Sequence, residues 1–373
     1  MSTSTGLLEH FKNLDDPRKA YLVEHSLLDI IGLTICAVIC GANSWAEIES
    51  YGKAKKEWLQ GFLSLRNGIP SHDTIARVFA ALKPEQLQQC FLSWITEITQ
   101  VTNGEVIAID GKTLRHSYDK GAKKGAIHMV SAWASQARLV LGQVKVDEHS
   151  NEITAIPELL KVLELSGCII TLDAMGTQKE IAKQIVEGGG DYILSLKGNH
   201  KSLYEDVKQL FELGRKTNFS DIPHEFYEYT EAGHGRIEIR RYWLMGNVEH
   251  LIDADSWTGL KRVGMVESEV RIPGQPPRIG RRYYLVSLDG DVQKFAHGVR
   301  SHWGIENELH WVLDVTFNED ASRIRKDHAP ENLALLRHLS LNLLRQDGSK
   351  GSVKTKRLKA GWNNKYLAQI LFR

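Results

Sequence analysis

Two aspartates in this chain close short apolar runs of the same design. Val106-Ile107-Ala108-Ile109 leads into Asp110-Gly111, and Ile169-Ile170-Thr171-Leu172 leads into Asp173 and a following glycine, Gly176. A run apolar at every position is the pattern of a central strand covered on both faces. An acid at its C-terminal end sits where open α/β sheets place their ligands. Two such strands in one sheet would bring their carboxylates together, and two close carboxylates repel unless a cation or a proton lies between them. Oxygen donors of this kind suit hard ions such as Mg²⁺ or Mn²⁺. A third acid, Glu306, lies in RSHWGIENELHWVLD, within a segment that reads as one long helix from Val292 to Phe317. His302 and His310 stand four residues to either side of it, on the same helical face, and Trp303 and Trp311 flank the stripe. Glu306 could supply a third metal carboxylate or belong to a solvated face. A zinc site through the two histidines is disfavoured, because eight residues of helix separate them by ~12 Å. Asp314, Glu319 and Asp320 are alternative third acids.

Basic residues gather near these acids. Lys112, Arg115, Lys120, Lys123 and Lys124 follow the first, and Lys197 follows a later strand at the same expected sheet edge. His234, Arg236, Arg240 and Arg241, with Arg300 on the long helix, could join them. Singly each reads as solvated surface; as a set around one edge they favour a phosphate-bearing substrate. Net charge is only +1, yet residues 321–373 hold twelve Lys and Arg against three Asp and Glu, which suggests a polyanionic partner. The four cysteines form no CxxC pair, so neither a structural zinc site nor a disulfide framework is expected, and a reducing, cytoplasmic setting fits. The most apolar run, Leu27–Cys40, is too short to span a bilayer and contains Asp29, so no membrane association is expected. No leader-type segment is read at the N-terminus.

These residues must be positioned by a mixed α/β framework. Residues 1–100 carry helical periodicity over about 25–40, 44–64, 71–82 and 84–99, with Ser71 as an N-cap; the pair around Pro70 and Pro84 has either a helix-turn-helix outline or that of a plain helical bundle. From Gly104 the order reads β-β-β-α-β-α-β, including a helix over 156–165 with Pro157 in its first turn. Residues 215–287 return to strands, with a turn at GQPP (274–277), and read as a β-rich insertion. The long helix follows, then a helix over 330–345, then a basic tail over 346–373. The division is thus a helical domain over 1–100, an α/β domain over 101–345 and the tail.

At this point the motifs AIDGKTLRHSYDKG, NEITAIPELL, ITLDAMGTQKEIA, GGDYILSLKGNH, HGRIEIR and HWGIENELHWVLDVTFNEDASRIRKDHAPENLALLRH, with GIPSHDTIARVF upstream, resemble the H-repeat-associated group of bacterial insertion-sequence transposases, over roughly residues 8–370. The resemblance implies an RNase H-like catalytic core, interrupted by a β-strand insertion and preceded by a helical domain. It implies a DDE triad of Asp110, Asp173 and Glu306 with two divalent ions, Mg²⁺ or Mn²⁺. It also implies cleavage and strand transfer of DNA, with the element's terminal inverted repeats and a target as partners and a homodimer on DNA. Lys112, Arg115, Lys197, His234, Arg236, Arg300, His302 and His310 are the expected DNA contacts. The chain departs from the broader Tyr-x2-Arg-x3-Glu-x6-Lys signature of such enzymes: those places hold Val299, His302 and Leu313, and only the glutamate remains. Two other readings stay open, a metal-dependent nuclease without strand transfer and a catalytically silent DNA-binding remnant.

Overall fold

The computed structural model describes residues 6–99, 103–118, 125–146, 150–220, 222–233, 235–246 and 248–372. After a short α1 (Gly6–Glu9), the N-terminal region is helical: α2 (Leu27–Ile39), α3 (Trp45–Leu59), α4 (His72–Ala81) and α5 (Pro84–Ile98). The local chemistry accounts for their starts. The Ser44 and Ser71 side chains accept from the amides of Glu47 and Thr74, and Pro84 occupies the first turn of α5, where a missing amide costs nothing.

The rest of the chain is organised by one nine-stranded sheet in the order β3-β2-β1-β4-β5-β9-β8-β7-β6. Its first half comprises β1 (Val106–Leu114), β2 (Ile127–Ala134), β3 (Leu139–Lys145), β4 (Ile169–Leu172) and β5 (Asp191–Leu196). Strands β1, β4 and β5 are parallel; β2 pairs antiparallel with β1, and β3 antiparallel with β2. The expected β-β-β-α-β-α-β order is met, with α6 (Glu152–Lys161) and α7 (Lys179–Glu187) as the intervening helices. α6 begins earlier than the sequence suggests: Asn151 caps it, and Pro157 lies in its interior.

The insertion is a meander of β6 (His224–Gly233), β7 (Arg236–Met245), β8 (Arg262–Arg271) and β9 (Arg278–Val286). It continues the same sheet, because β9 pairs antiparallel with β5. A helix the sequence reading passed over, α8 (Lys201–Lys216), precedes it and buries Leu203, Val207 and Phe211 at helical spacing.

Residues alternate between the two faces of the central strands, as the pleat requires. Val106, Ile169 and Ile193 pack with Val292, Phe295, Ala296 and Val299 of α9 (Val292–Gly304). Ile107, Ile170 and Leu194 join the main core on the other face. Helix α9 lies close over the sheet at Gly298, where a Cβ would stand 2.4 Å from the Ile193 side chain. The expected single helix over 292–317 is instead α9, a π-helical segment Ile305–His310, and α10 (Trp311–Phe317).

α11 (Ala329–Gln346) is buried along nearly its whole length and touches α2, α4, α5 and β3. Its Asn342 bonds both the amide and the carbonyl of Val140 on β3 (2.9 and 2.8 Å), and its Asn332 donates to the carbonyls of Phe79 and Leu82 at the end of α4. The helical region and the sheet therefore share one interior. The segment expected to be a basic tail is folded, as α12 (Val353–Trp362) and α13 (Asn364–Leu371), with Lys356 and Arg357 buried. No helix among the described residues is long and apolar enough to cross a membrane.

Candidate active site

The parallel register of β1 and β4 sets Ile109 beside Leu172, so the next residue on each strand is an aspartate. Asp173 turns at once into a loop: its Oδ1 accepts from the amides of Met175 and Gly176 at 2.9 and 3.0 Å, which fixes the carboxylate at the strand end. Glu306 reaches the same place from the π-helical segment. Asp110, Asp173 and Glu306 line one cavity of ≈ 220 Å³, together with Thr171, Ser195, Lys197, Arg282, Tyr284, His302 and Trp303. The π-helical winding, Ile305–His310, contains Glu306 itself, and such widened turns occur frequently at functional sites.

His310, one turn beyond Glu306, is buried and stands between two of the acids. Its Nδ1 is 3.7 Å from Asp110 and 3.6 Å from Glu306, and one ligand atom from each of the three lies within 4.8 Å of the others. Asp173 lines the cavity without joining this tighter group. Burial pushes the Asp110 carboxyl up to about 7; a hydrogen bond from the Gly111 amide opposes this, and the charges of Asp173, Glu152 and Glu306 add to it. Burial lowers His310 to about 3, with the Lys112 charge acting in the same sense, so its imidazole is neutral near pH 7 and able to offer a lone pair. The residues fit a divalent cation. Three convergent carboxylates, one of them held at an energetic disadvantage by burial and by its neighbours' charge, form an oxygen-rich donor set for a hard ion.

His302 takes a different role from His310. Its Nδ1 is 2.9 Å from the Thr171 hydroxyl on β4, and burial lowers it to about 4. It braces the helix against the sheet as a neutral ring. The two histidines do not share a site, as their spacing suggests.

The expected DNA contacts separate in space. Lys197 lines the cavity and forms no ion pair among the described residues. Lys112 does not face the cavity: its ammonium is bound by Asp314 and by Glu319. That pairing also occupies two of the three alternative third acids. Asp320 pairs with the exposed Arg115 at 3.2 Å. Arg236 pairs with Glu238, and Arg300 lies 3.5 Å from Glu231. Lys120, Lys123, Lys124 and His234 lie outside the described residues. One cation the sequence reading missed is Arg282, on β9, which lines the cavity with its guanidinium 4.8 Å from the Trp303 ring. It enters the site only because β9 is hydrogen-bonded to β5, a pairing between strands nearly ninety residues apart.

Residues 102–343 match the family model described as "Transposase DDE domain", and residues 8–95 match the one described as "DDE_Tnp_1-associated". The chain belongs to the DDE transposase family. The family brings with it an RNase H-like core, which the β1–β5 arrangement provides, and the use of divalent metal. Over 370 residues the chain is 44% identical to "H repeat-associated putative transposase YhhI" of Escherichia coli K12, covering 98% of this chain and 97% of that one. It is 43% identical to "Putative transposase YncI" of Escherichia coli O157:H7, over 98% of this chain and 94% of the relative. A short K12 relative, "Inactive transposase YbfQ", is 50% identical over 72 residues, 19% of this chain and 86% of its own length. A DDE transposase takes DNA as substrate, and the β6–β9 meander of this transposase lies in sequence between Asp173 and Glu306.

Proposed function

We propose that this transposase cuts DNA at the ends of an insertion element and joins the freed 3′ ends to target DNA, using Mg²⁺ or Mn²⁺ and acting as a homodimer on DNA. The reading is carried by one observation: three carboxylates from three remote segments, Asp110, Asp173 and Glu306, line a single cavity. Asp110, Asp173 and Glu306 would hold the ions, with His310 beside Asp110 and Glu306. When bound, the ions supply an acidified water or 3′-hydroxyl as nucleophile and stabilise the departing 3′ oxygen. The chain's own residues do the rest. Lys197 and Arg282 would neutralise the non-bridging oxygens of the scissile phosphate. Trp303, 41% exposed at the cavity mouth, offers a face against which sugar or base can pack. Ile193, Tyr284 and Val299 form an apolar wall that limits stray water. Neutral His302 keeps the helix seated without adding charge beside the phosphate.

The test is Mn²⁺-dependent cleavage of an element-end duplex by the wild type and by Asp110→Ala. Cleavage that disappears in the variant supports the reading; equal cleavage in both overturns the assignment of the site. A pre-nicked end oligonucleotide with plasmid target then separates transposition from simple nuclease action. Cutting without joining leaves a nuclease. DNA binding with no cutting by the wild type leaves a silent remnant.

A further inference from the structure

We propose that Lys112 is a positioning residue, whose ammonium ties the strand carrying Asp110 to the chain that follows Glu306 and so sets the spacing of the two carboxylates. This rests on the reading above that those carboxylates hold metal. Lys112 is two residues beyond Asp110 on β1, and alternate residues of a strand share a face. Its side chain is only 11% exposed, and its Nζ donates to Asp314 on α10 and, at 2.8 Å, to Glu319 just past that helix. Glu319 is buried in turn, 3.5 Å from the guanidinium of Arg337 on α11. Two cations and two carboxylates thus close a network behind the site. It joins β1, which bears Asp110, to α10, which follows the segment bearing Glu306, and through Glu319 to α11. Two of the three ammonium protons are engaged and the group is enclosed, so little of it is left for a phosphate. Lys112 acts through the backbone rather than by bonding a ligand, and the loss of groups that orient metal ligands typically alters metal affinity or activity by about 10–100-fold.

The experiment measures Mn²⁺ affinity by titration calorimetry and DNA affinity in EDTA by fluorescence anisotropy, for the wild type, Lys112→Met and Asp314→Asn, each checked for a cooperative melt. We expect Lys112→Met to weaken Mn²⁺ binding by about 10–100-fold while DNA affinity without metal changes less than about twofold. Asp314→Asn, which leaves the buried Lys112–Glu319–Arg337 part intact, should weaken Mn²⁺ binding less and fold normally; it decides the matter if Lys112→Met does not fold. Unchanged Mn²⁺ affinity in the folded variant overturns the proposal. So does a loss of DNA affinity with Mn²⁺ binding untouched, which would make Lys112 a phosphate contact. A wild type that binds no Mn²⁺ sinks the catalytic reading and this one together, whereas equal binding by wild type and Lys112→Met sinks only this one.

Discussion

Asp110 is the residue on which the site's electrostatics turn. Its folded carboxyl titrates at about 7 against an ordinary value of 3.8. Below pH 4 both folded and unfolded forms are protonated and the group contributes nothing to the pH dependence. Between pH 4 and 7 the unfolded chain loses its proton while the folded one keeps it, so metal-free stability falls as pH rises through that window. Asp110→Asn removes the penalty, and we expect it to stabilise the metal-free protein at pH 8 by roughly 1–4 kcal/mol in urea unfolding with EDTA. A destabilised variant would mean that the carboxylate is well accommodated without a cation. Arg282 makes a second prediction. Arg282→Ala should weaken binding of element-end DNA and lower the slope of log affinity against log salt by about 1, with Mn²⁺ binding unchanged. The two aspartates were legible in the sequence because a strand-end acid is a local pattern. The surroundings of Lys112 were not, since its partners lie about two hundred residues away, and a lysine beside an acid reads equally as phosphate ligand or structural counter-ion.

Among the elements, the segment bearing Glu306 departs most from expectation. Apolar spacing on either side of it is helical, so the sequence supports one continuous helix, and periodicity cannot register a single wide turn. The side chain of Asn307 donates to the carbonyl of Trp303 at 2.9 Å, and Arg345 donates to the Glu308 carbonyl. Both are carbonyls within or just before the widened winding. Deleting Asn307 should return the segment to α-helical winding and rotate Glu306 relative to His310. We expect DNA cleavage to fall by about 100-fold, the scale of a misplacement near 1 Å, while far-ultraviolet circular dichroism stays that of the wild type. Retained cleavage would show that the winding has no part in presenting the acid. The β-insertion shows a related limit. Its strands and the GQPP turn are readable from composition, but that β9 pairs with β5 and carries Arg282 into the site is a tertiary outcome, decided by which sheet edge is free.

On the scale of the whole molecule, the C-terminal helices change the meaning of the basic charge. A run rich in lysine and arginine reads as a solvated tail because charged groups are seldom buried unless paired. Here two of them are buried against carbonyls: Arg357 donates to Val38 of α2, at 2.7 Å, and to Thr316 of α10, and Lys356 donates to Leu344 of α11 at 3.2 Å. Tyr366, Leu367, Ile370 and Leu371 complete the packing beneath them in the main core. The helices therefore bolt the N-terminal region to the chain that carries Glu306, and removing them would strip cover from α2, whose residues are nearly all buried. A chain ending at residue 346 should lose its cooperative melt and aggregate. Leu367→Ala, a milder probe of the same contact, should cost about 2–5 kcal/mol in urea unfolding. If residues 346–373 served only as a DNA-binding tail, both changes would leave stability intact and reduce DNA affinity alone. The truncated chain's melt separates these cases, since a lost phosphate contact cannot abolish a transition measured without DNA.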